Sequence, residues 1–327
     1  MKKTRVTVRD IAAAAHVTPQ TVSRAIRNAP EVSAETRERV LKIAAELNYV
    51  KNSTASSLRN GNSRLIVIIY DHLVNVYFSI MIDYLQACFK AYNYSILMLS
   101  VTEHRLDSSA YKFAVSHNAV GIVSFLEPDD EIASLLEGFG IPILLFGRRT
   151  DLRAVDYLRT DDEKGGRLAA RHLIENGCMR AVYVSTSLSV SCAYDRYAGF
   201  CAEWTDAGRP EPAVVEMVQG WEDAFLTLLH GDEAPDCVFC FSDMLAFDVV
   251  CLLEKSGMKD VPVIGFDNVQ EEVRIPNRLV SVGTDKRAMA ARAAQVLVSR
   301  IENGRAERVA EDFDVFLRGD GRTSQET

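Results

Sequence analysis

Thr7-Val8-Arg9-Asp10-Ile11-Ala12 leads through Val17-Thr18-Pro19-Gln20-Thr21-Val22-Ser23-Arg24 to Val32-Ser33-Ala34-Glu35-Thr36-Arg37-Glu38-Arg39-Val40, and Leu47-Asn48-Tyr49 closes the stretch. Thr7 is placed to N-cap a first helix, with Asp10 in the third position of a capping box. Ile11, Ala14 and Ala15 share one face of that helix, and the small residues there let a second helix cross closely. Val17 begins a turn. Thr18 is a second N-cap, and Pro19 suits the first helical position because its missing N–H is not needed there. The second helix runs to about Ile26, with Val22 and Ile26 inward and Gln20, Thr21, Ser23, Arg24 and Arg27 outward. Ser33 caps a third helix, with Val40, Ile43, Ala44 and Leu47 inside. Amide, guanidinium and hydroxyl groups along one exposed helix are the groups that read adenine, guanine and phosphate. The pattern is a helix-turn-helix.

Charge follows the same division. Residues 1–64 carry 12 Lys and Arg against 5 Asp and Glu, a balance of +7, while the remainder carries 25 against 40, a balance of −15. A basic head on an acidic body is the electrostatic footprint of a chain that offers one end to a polyanion. At 327 residues the chain exceeds one ordinary domain. No apolar run reaches a membrane span, and the charged N-terminus lacks a signal-peptide core, so a cytoplasmic location is expected. The 7 cysteines are scattered without framework spacing, which fits reduced thiols. Cys237-Val-Phe-Cys240 lies in an apolar run that reads as a buried strand, and no second pair accompanies it, so no metal site is expected.

From Leu65 onward, apolar strands alternate with helices. Leu65–Tyr70, Ser95–Ser100, Val120–Phe125 and Pro142–Phe146 read as strands, with helical periodicity over 77–92. A second series runs through helix Glu163–Asn176, strand Ala181–Ser185, helix Arg196–Ala207, strand Cys237–Phe241, helix Leu245–Ser256 and strand Val263–Phe266. Such alternation predicts parallel sheets covered on both faces. Two series predict two lobes, with ligands held beyond the carboxyl ends of the strands. Between head and body, Asn52-Ser-Thr-Ala55-Ser-Ser-Leu58-Arg59 is Ser-rich and too short to hold a helix alone in water.

The words T-V-S-R, V-S-x-x-T-R-x-R-V and L-x-Y, in this order, resemble the lactose/galactose repressor (LacI/GalR) family, and the resemblance runs from Thr7 to the C-terminus. It implies base-reading positions at Pro19, Gln20 and Arg24 and phosphate contacts from Thr7, Thr21 and Asn28. Thr18 and Ser23 belong to the same DNA-facing set. The Asn52–Arg59 segment occupies the family's hinge, implied to become helical only on DNA, paired with its twin from a second subunit. Leu58 would then wedge into the minor groove, with Ala55 and Arg59 beside it. His16 stands where the family has Gly, suggesting a different turn conformation. Lys51 stands where it has Pro.

The body resembles the family's periplasmic sugar-binding fold. The matching motifs are Asn75-Val76-Tyr77-Phe78, Thr160-Asp161-Asp162, Arg196-x-x-Gly199-Phe200, Ser242-Asp243 and Gly265-Phe266-Asp267, each at or just after a strand end. The resemblance implies an effector site in which Arg196 and Asp267 clamp vicinal hydroxyls. Asn75, Arg148, Asp161 and Ser242 would add polar contacts, and Tyr77, Phe78 and Trp221 apolar walls. Val76 replaces the usual Pro and Ser242 the usual Asn. The expected fold is an all-α helix-turn-helix head plus two doubly wound parallel-sheet α/β lobes of periplasmic-binding-protein type. Its parts are a head over 1–50, a hinge over 51–63 and an effector and dimerisation domain over 64–327. The N-lobe takes about 64–158 and 284–313, the C-lobe about 159–283 and 314–327. No heptads follow Leu317, so a homodimer on a pseudo-palindromic double-stranded operator is expected.

The expected function is a sequence-specific transcriptional regulator, a repressor controlled by a small-molecule effector of carbohydrate type, with no membrane partner and no cofactor. The alternative is a regulator controlled by a protein corepressor. A sugar-modifying enzyme is disfavoured, because no nucleophile–base set, phosphate loop or metal-ligand spacing is present and the six histidines are dispersed.

Overall fold

The computed structural model describes residues 6–49, 63–71, 74–102, 105–274, 279–304 and 307–319. The chain divides into two compact units, residues 1–63 and 64–327. Lys51, Ala55, Leu58 and Arg59, and with them the hinge-helix expectation, lie outside the described residues.

In the first unit α1 (Val8–Ala15), α2 (Pro19–Ile26) and α3 (Ala34–Glu46) enclose a small core of Ile11, Ala12, Ala15, Val22, Ala25, Val32 and Val40. The Asp10 carboxylate accepts from the Thr7 N–H at 2.7 Å and from its hydroxyl at 2.8 Å. Thr18 accepts from the Thr21 N–H at 3.2 Å, and Ser33 from that of Thr36 at 3.3 Å. Two expectations are corrected, at Ala14 and Leu47. Ala12, not Ala14, shares the buried face with Ile11 and Ala15, because the face follows i, i+1, i+4 here. Ala25 joins Val22 on the buried face of α2, and Ile26 packs half-buried against the same core as expected. Leu47, which follows α3, is 37 % exposed rather than internal. His16 itself takes the left-handed conformation (φ 53°, ψ 44°), with its N–H directed to the carbonyls of Ala12 and Ala13. His16 thus carries strain that Gly would avoid in the same conformation.

The second unit contains two sheets. In chain order the elements are β1 (Leu65–Tyr70), α4 (Val76–Ala91), β2 (Ser95–Ser100), α5 (Ser108–Ser116), β3 (Gly121–Ser124), α6 (Ile132–Phe139), β4 (Ile143–Phe146), β5 (Asp156–Thr160) and α7 (Asp162–Glu175). Then come β6 (Ala181–Ser185), α8 (Ser191–Asp206), β7 (Ala213–Glu216), α9 (Trp221–Leu229), β8 (Cys237–Cys240), α10 (Asp243–Lys255) and β9 (Val263–Phe266). After a 3-10 turn at Val269–Glu271 follow β10 (Val280–Thr284), α11 (Lys286–Asn303), β11 (Ala310–Phe313) and β12 (Val315–Arg318). The N-lobe sheet is ordered β11-β5-β4-β3-β1-β2 with all neighbours parallel. The C-lobe sheet is ordered β12-β10-β9-β8-β6-β7, with β12 antiparallel to β10 and the rest parallel. Each sheet is buried on both faces by separate apolar clusters. That is why β1 reads as an unbroken run, with Ile66 to Ile69 all fully buried.

The chain crosses between the lobes at three places: β5 into α7, β10 into α11, and β11 into β12. β5, β7, β11 and β12 are short and carry charged residues, and the apolar pattern did not announce them. Cys237 and Cys240 are both fully buried on β8. The nearest thiol to Cys237 belongs to Cys178 rather than Cys240, with the Asp236 carboxylate alongside.

Candidate ligand cleft and nucleic-acid interface

The sequence of α2 leaves a polar face outward. Thr18, Pro19, Gln20, Arg24 and Asn28 are exposed, and Thr21 and Ser23 are half-buried. Thr21 and Thr18 hydroxyls lie 2.9 Å apart, so both are engaged in capping as well as displayed. Arg27 folds back on the helix, its Nε donating to the Ser23 carbonyl at 3.2 Å. Asn28 sits beyond α2 at φ 58°, a conformation Asn tolerates well. Arg37, in contrast, faces inward on α3 and donates to the carbonyls of Ala29 at 2.7 Å and Val32 at 3.1 Å. It locks the loop between α2 and α3 and so fixes the angle at which α2 is presented.

In the second unit the site begins with a helix crossing. A Cβ on Gly166 would fall 2.1 Å from the Arg196 carbonyl, and one on Gly199 2.0 Å from that of Glu163. Only glycine permits α7 and α8 to touch backbone to backbone here. The crossing brings Arg196 on α8 against Asp162, the first residue of α7. Arg196 Nε donates to Asp162 Oδ1 at 2.8 Å, and Nη1 to the Phe241 carbonyl at 2.5 Å. Nη2 lies 3.7 Å from Asp267 Oδ1. The guanidinium also stacks over Phe266 and Phe241, 3.5 and 4.7 Å from the ring centroids. Arg196 is held firmly protonated: burial works against the cation, and Asp162 and Asp267 outweigh it.

Asp267 reaches this position at a cost. Its φ is 97°, a region that non-glycine residues rarely occupy, which costs on the order of 1–3 kcal/mol and marks functional sites. Burial pushes its carboxyl up to about 7, against the pull of Arg196. Burial likewise pushes Asp243 up to about 6, although Ser281 and the Val269 N–H both donate to it. Burial also raises Asp162, opposed by Arg196. One oxygen of Asp162, Oδ2, is buried without a hydrogen-bond partner among the described residues.

Of the residues expected from sequence, Tyr77, Arg148, Arg196 and Asp267 are brought together. The half-buried Tyr77 hydroxyl is pushed up by burial and then by Asp267, with Arg196, Asp162 and Arg148 also within its electrostatic reach. Arg148 follows β4 and donates to Cys192 Sγ at 3.0 Å. The others serve elsewhere. Phe78 belongs to the N-lobe core, in an edge-to-face series with Phe125 and Phe146 at 5.2 and 5.4 Å. Trp221 packs with the outer apolar cluster of the C-lobe beside Phe225. Asn75, Asp161 and Ser242 cap α4, α7 and α10, accepting from Tyr77, Lys164 and Leu245 N–H groups. Asp162, Cys192, Asp243, Phe241 and Lys286 were not singled out from sequence. Asp162 was legible as the second acid of Thr160-Asp161-Asp162, because one of two adjacent acids at a helix start caps it and the other faces inward.

A two-lobed α/β module with its polar cluster at strand ends, joined to a three-helix head, defines a ligand-responsive DNA-binding protein class. The head matches the description "Bacterial regulatory proteins, lacI family" over residues 7–52. The body matches "Periplasmic binding proteins and sugar binding domain of LacI family" over residues 63–272. The chain belongs to the LacI family, a family of DNA-binding transcriptional regulators rather than enzymes. It is 26 % identical over 313 residues to the HTH-type transcriptional repressor PurR of Vibrio parahaemolyticus, covering 92 % of this chain and 94 % of the relative. In fold it is similar to the lac repressor dimer bound to operator and the anti-inducer ONPF, with a TM-score of 0.79 at 23 % identity over 96 % of this chain and 97 % of the other. A cellobiose complex of the transcriptional regulator CelR superposes with a TM-score of 0.68 at 24 % identity, covering 96 % and 99 %. Among the described residues no helix is long and apolar enough to cross a membrane.

Proposed function

We propose that this protein is a cytoplasmic repressor whose operator affinity is set by a neutral carbohydrate bound between its lobes. The observation that carries the reading is the Arg196 cluster: one guanidinium faced by the buried carboxylates of Asp162 and Asp267, with Tyr77 from the other lobe beside them. A planar donor fork next to carboxylate acceptors suits adjacent hydroxyls, each of which donates one proton and accepts another. Phe241 and Phe266 supply the apolar floor.

Gln20 and Arg24 on α2 read base edges, and Thr7, Thr21 and Asn28 hold phosphates. A homodimer on a two-fold operator follows from this reading, with Leu58 of each subunit wedged at the centre. Effector binding changes operator affinity only because it favours one lobe arrangement over the other.

The test is a thermal-shift panel of neutral mono- and disaccharides, with nucleobases as contrast, since a ligand of the folded state raises Tm by mass action. A sugar that raises Tm and alters an operator gel shift supports the reading, and Arg196→Ala abolishes both effects. A response confined to nucleobases replaces the carbohydrate assignment. No response to any small molecule points to control by a protein corepressor. For the wedge, Leu58→Ala weakens operator binding with the fold unchanged; equal affinity in a gel shift removes Leu58 from the interface.

A further inference from the structure

Arg196 has a helix neighbour that the effector reading leaves unused. Asp195 points the opposite way along the lobe boundary and carries a relay of ion pairs. Arg149, from the loop after β4, grips its carboxylate with Nε at 2.9 Å and Nη2 at 3.1 Å. Arg159, on β5, reaches the same carboxylate with Nη1 at 2.5 Å. The other edge of Arg159 is held by Asp312 on β11, with Nε and Nη2 at 2.8 and 3.0 Å. Arg159 and Asp312 are register partners on adjacent strands, and both strands cross into the C-lobe within a few residues.

The relay alternates in sign, Arg149, Asp195, Arg159, Asp312, and the Asp195 carboxylate stands between two guanidinium groups that would otherwise repel each other. Its centre is largely shielded: the side chains of Asp195 and Arg159 are 14 % and 16 % exposed, and salt screens such pairs less than surface ones. Although burial works against the charged form, the hydrogen bonds from Arg149 and Arg159 hold the Asp195 carboxyl below its ordinary value. The same end of α8 is tied to the N-lobe at further points, among them the Arg149 N–H donating to Ser191 Oγ at 3.5 Å. The Ser191 N–H donates to Glu127 Oε1 at 2.9 Å, and Arg148 donates to Cys192 at 3.0 Å. Separating the lobes breaks the contacts of Asp195, Ser191 and Cys192 together, while Arg159 and Asp312 stay paired within the N-lobe sheet.

We infer that Asp195 is a positioning residue for the effector cleft: it latches the first turns of α8 onto the N-lobe and thereby delivers Arg196 into the closed site. This rests on the reading of the cleft as the effector site, and it assigns that site a device for holding closure before any ligand is present. Asp195 touches no ligand in this role. Its carboxylate sets how often the cleft opens.

Cys192 gives a direct readout, because its thiol is 1 % exposed at the lobe boundary. Alkylation of the ligand-free, full-length protein by iodoacetamide, followed site by site by mass spectrometry, measures lobe opening at Cys192. Cys178 and Cys237, buried within the C-lobe, report unfolding of that lobe. Asp195→Asn and Arg159→Gln are each expected to raise the Cys192 rate more than threefold with the other two rates unchanged. The double variant is expected to add little to either single one, and Asp195→Glu to restore the slow rate. A Cys192 rise of threefold or less overturns the latch. So does a parallel rise at Cys178 and Cys237, which would make Asp195 a residue that stabilises the lobe itself. Because no ligand is used, failure of the carbohydrate assignment leaves this result standing, and failure here leaves the thermal-shift panel standing.

Discussion

Arg196 Nε donates to Asp162 Oδ1 at 2.8 Å, and neither side chain is more than 7 % exposed. Thr160 Oγ1 adds a second donor to the same oxygen at 2.9 Å. Asp162→Ala leaves a buried guanidinium whose nearest remaining carboxylate, Asp267, stands 3.7 Å away. Breaking a buried pair from one side costs about 3–5 kcal/mol. The expected outcome is a lower urea midpoint for the second unit at unchanged slope. Asp162→Asn, which keeps an oxygen for Thr160, is expected to lose less. An Asp162→Ala midpoint equal to wild type would mean that Arg196 finds another anion.

Asp267 makes stability depend on pH in a direction opposite to most carboxylates. Its folded value of about 7 lies above the ordinary 3.8, since burial disfavours the anion more than Arg196 favours it. Between those values the folded chain holds a proton that the unfolded chain has lost. The contribution is full below about pH 4 and is lost as pH rises through about 7. Asp243, raised to about 6, acts with the same sign. Relative to Asp267→Asn, wild type is expected to lose about 2–3 kcal/mol between pH 5 and pH 8. Urea unfolding of both proteins at the two pH values checks this, and a constant difference contradicts it.

His16 caps α1 at φ 53°. A left-handed conformation costs an L-residue about 1–2 kcal/mol, part of which glycine gives back through its freer unfolded chain. His16→Gly is therefore expected to stabilise the head by about 0.5–1 kcal/mol. Thermal unfolding followed through the helical signal of residues 1–63 would register it. Destabilisation would mean that the imidazole makes a compensating contact.

What could be read in the sequence was local. Caps at Thr7, Thr18 and Ser33 and the apolar run of β1 depend on neighbours a few residues away, and the folded chain keeps them. The charged strands β5 and β11 were silent because their stability comes from pairing with each other across about 150 residues, as Arg159 and Asp312 illustrate. Arg196 and Asp267 are legible through short glycine-bearing motifs, Asp267 directly after β9, which carries Gly265, and Arg196 inside α8 three residues before Gly199. Choosing Asp161 over Asp162, or expecting Phe78 in the cleft rather than the core, turns on which way the first turn of a helix rotates over the sheet. That rotation is fixed by tertiary contacts such as the Gly166–Gly199 crossing, and local propensity says nothing about it.

Two arginines of the head separate reading from holding. Arg24 is exposed on α2, while Arg37 is directed inward on two carbonyls of the α2–α3 loop. Arg24→Ala is expected to leave head stability within about 0.5 kcal/mol. It should cost about 1–3 kcal/mol of operator affinity and relax base preference at one position of each half-site. Arg37→Ala removes two charge-assisted bonds to part-buried carbonyls, at roughly 1.5–3 kcal/mol for a hydrogen bond to a charged group. It lowers head stability and weakens binding to all operator variants alike. A selection for bound sequences with each variant, run beside thermal unfolding, tells the two apart. If Arg37→Ala shifted base preference while stability held, the loop it locks would itself be part of the reading surface.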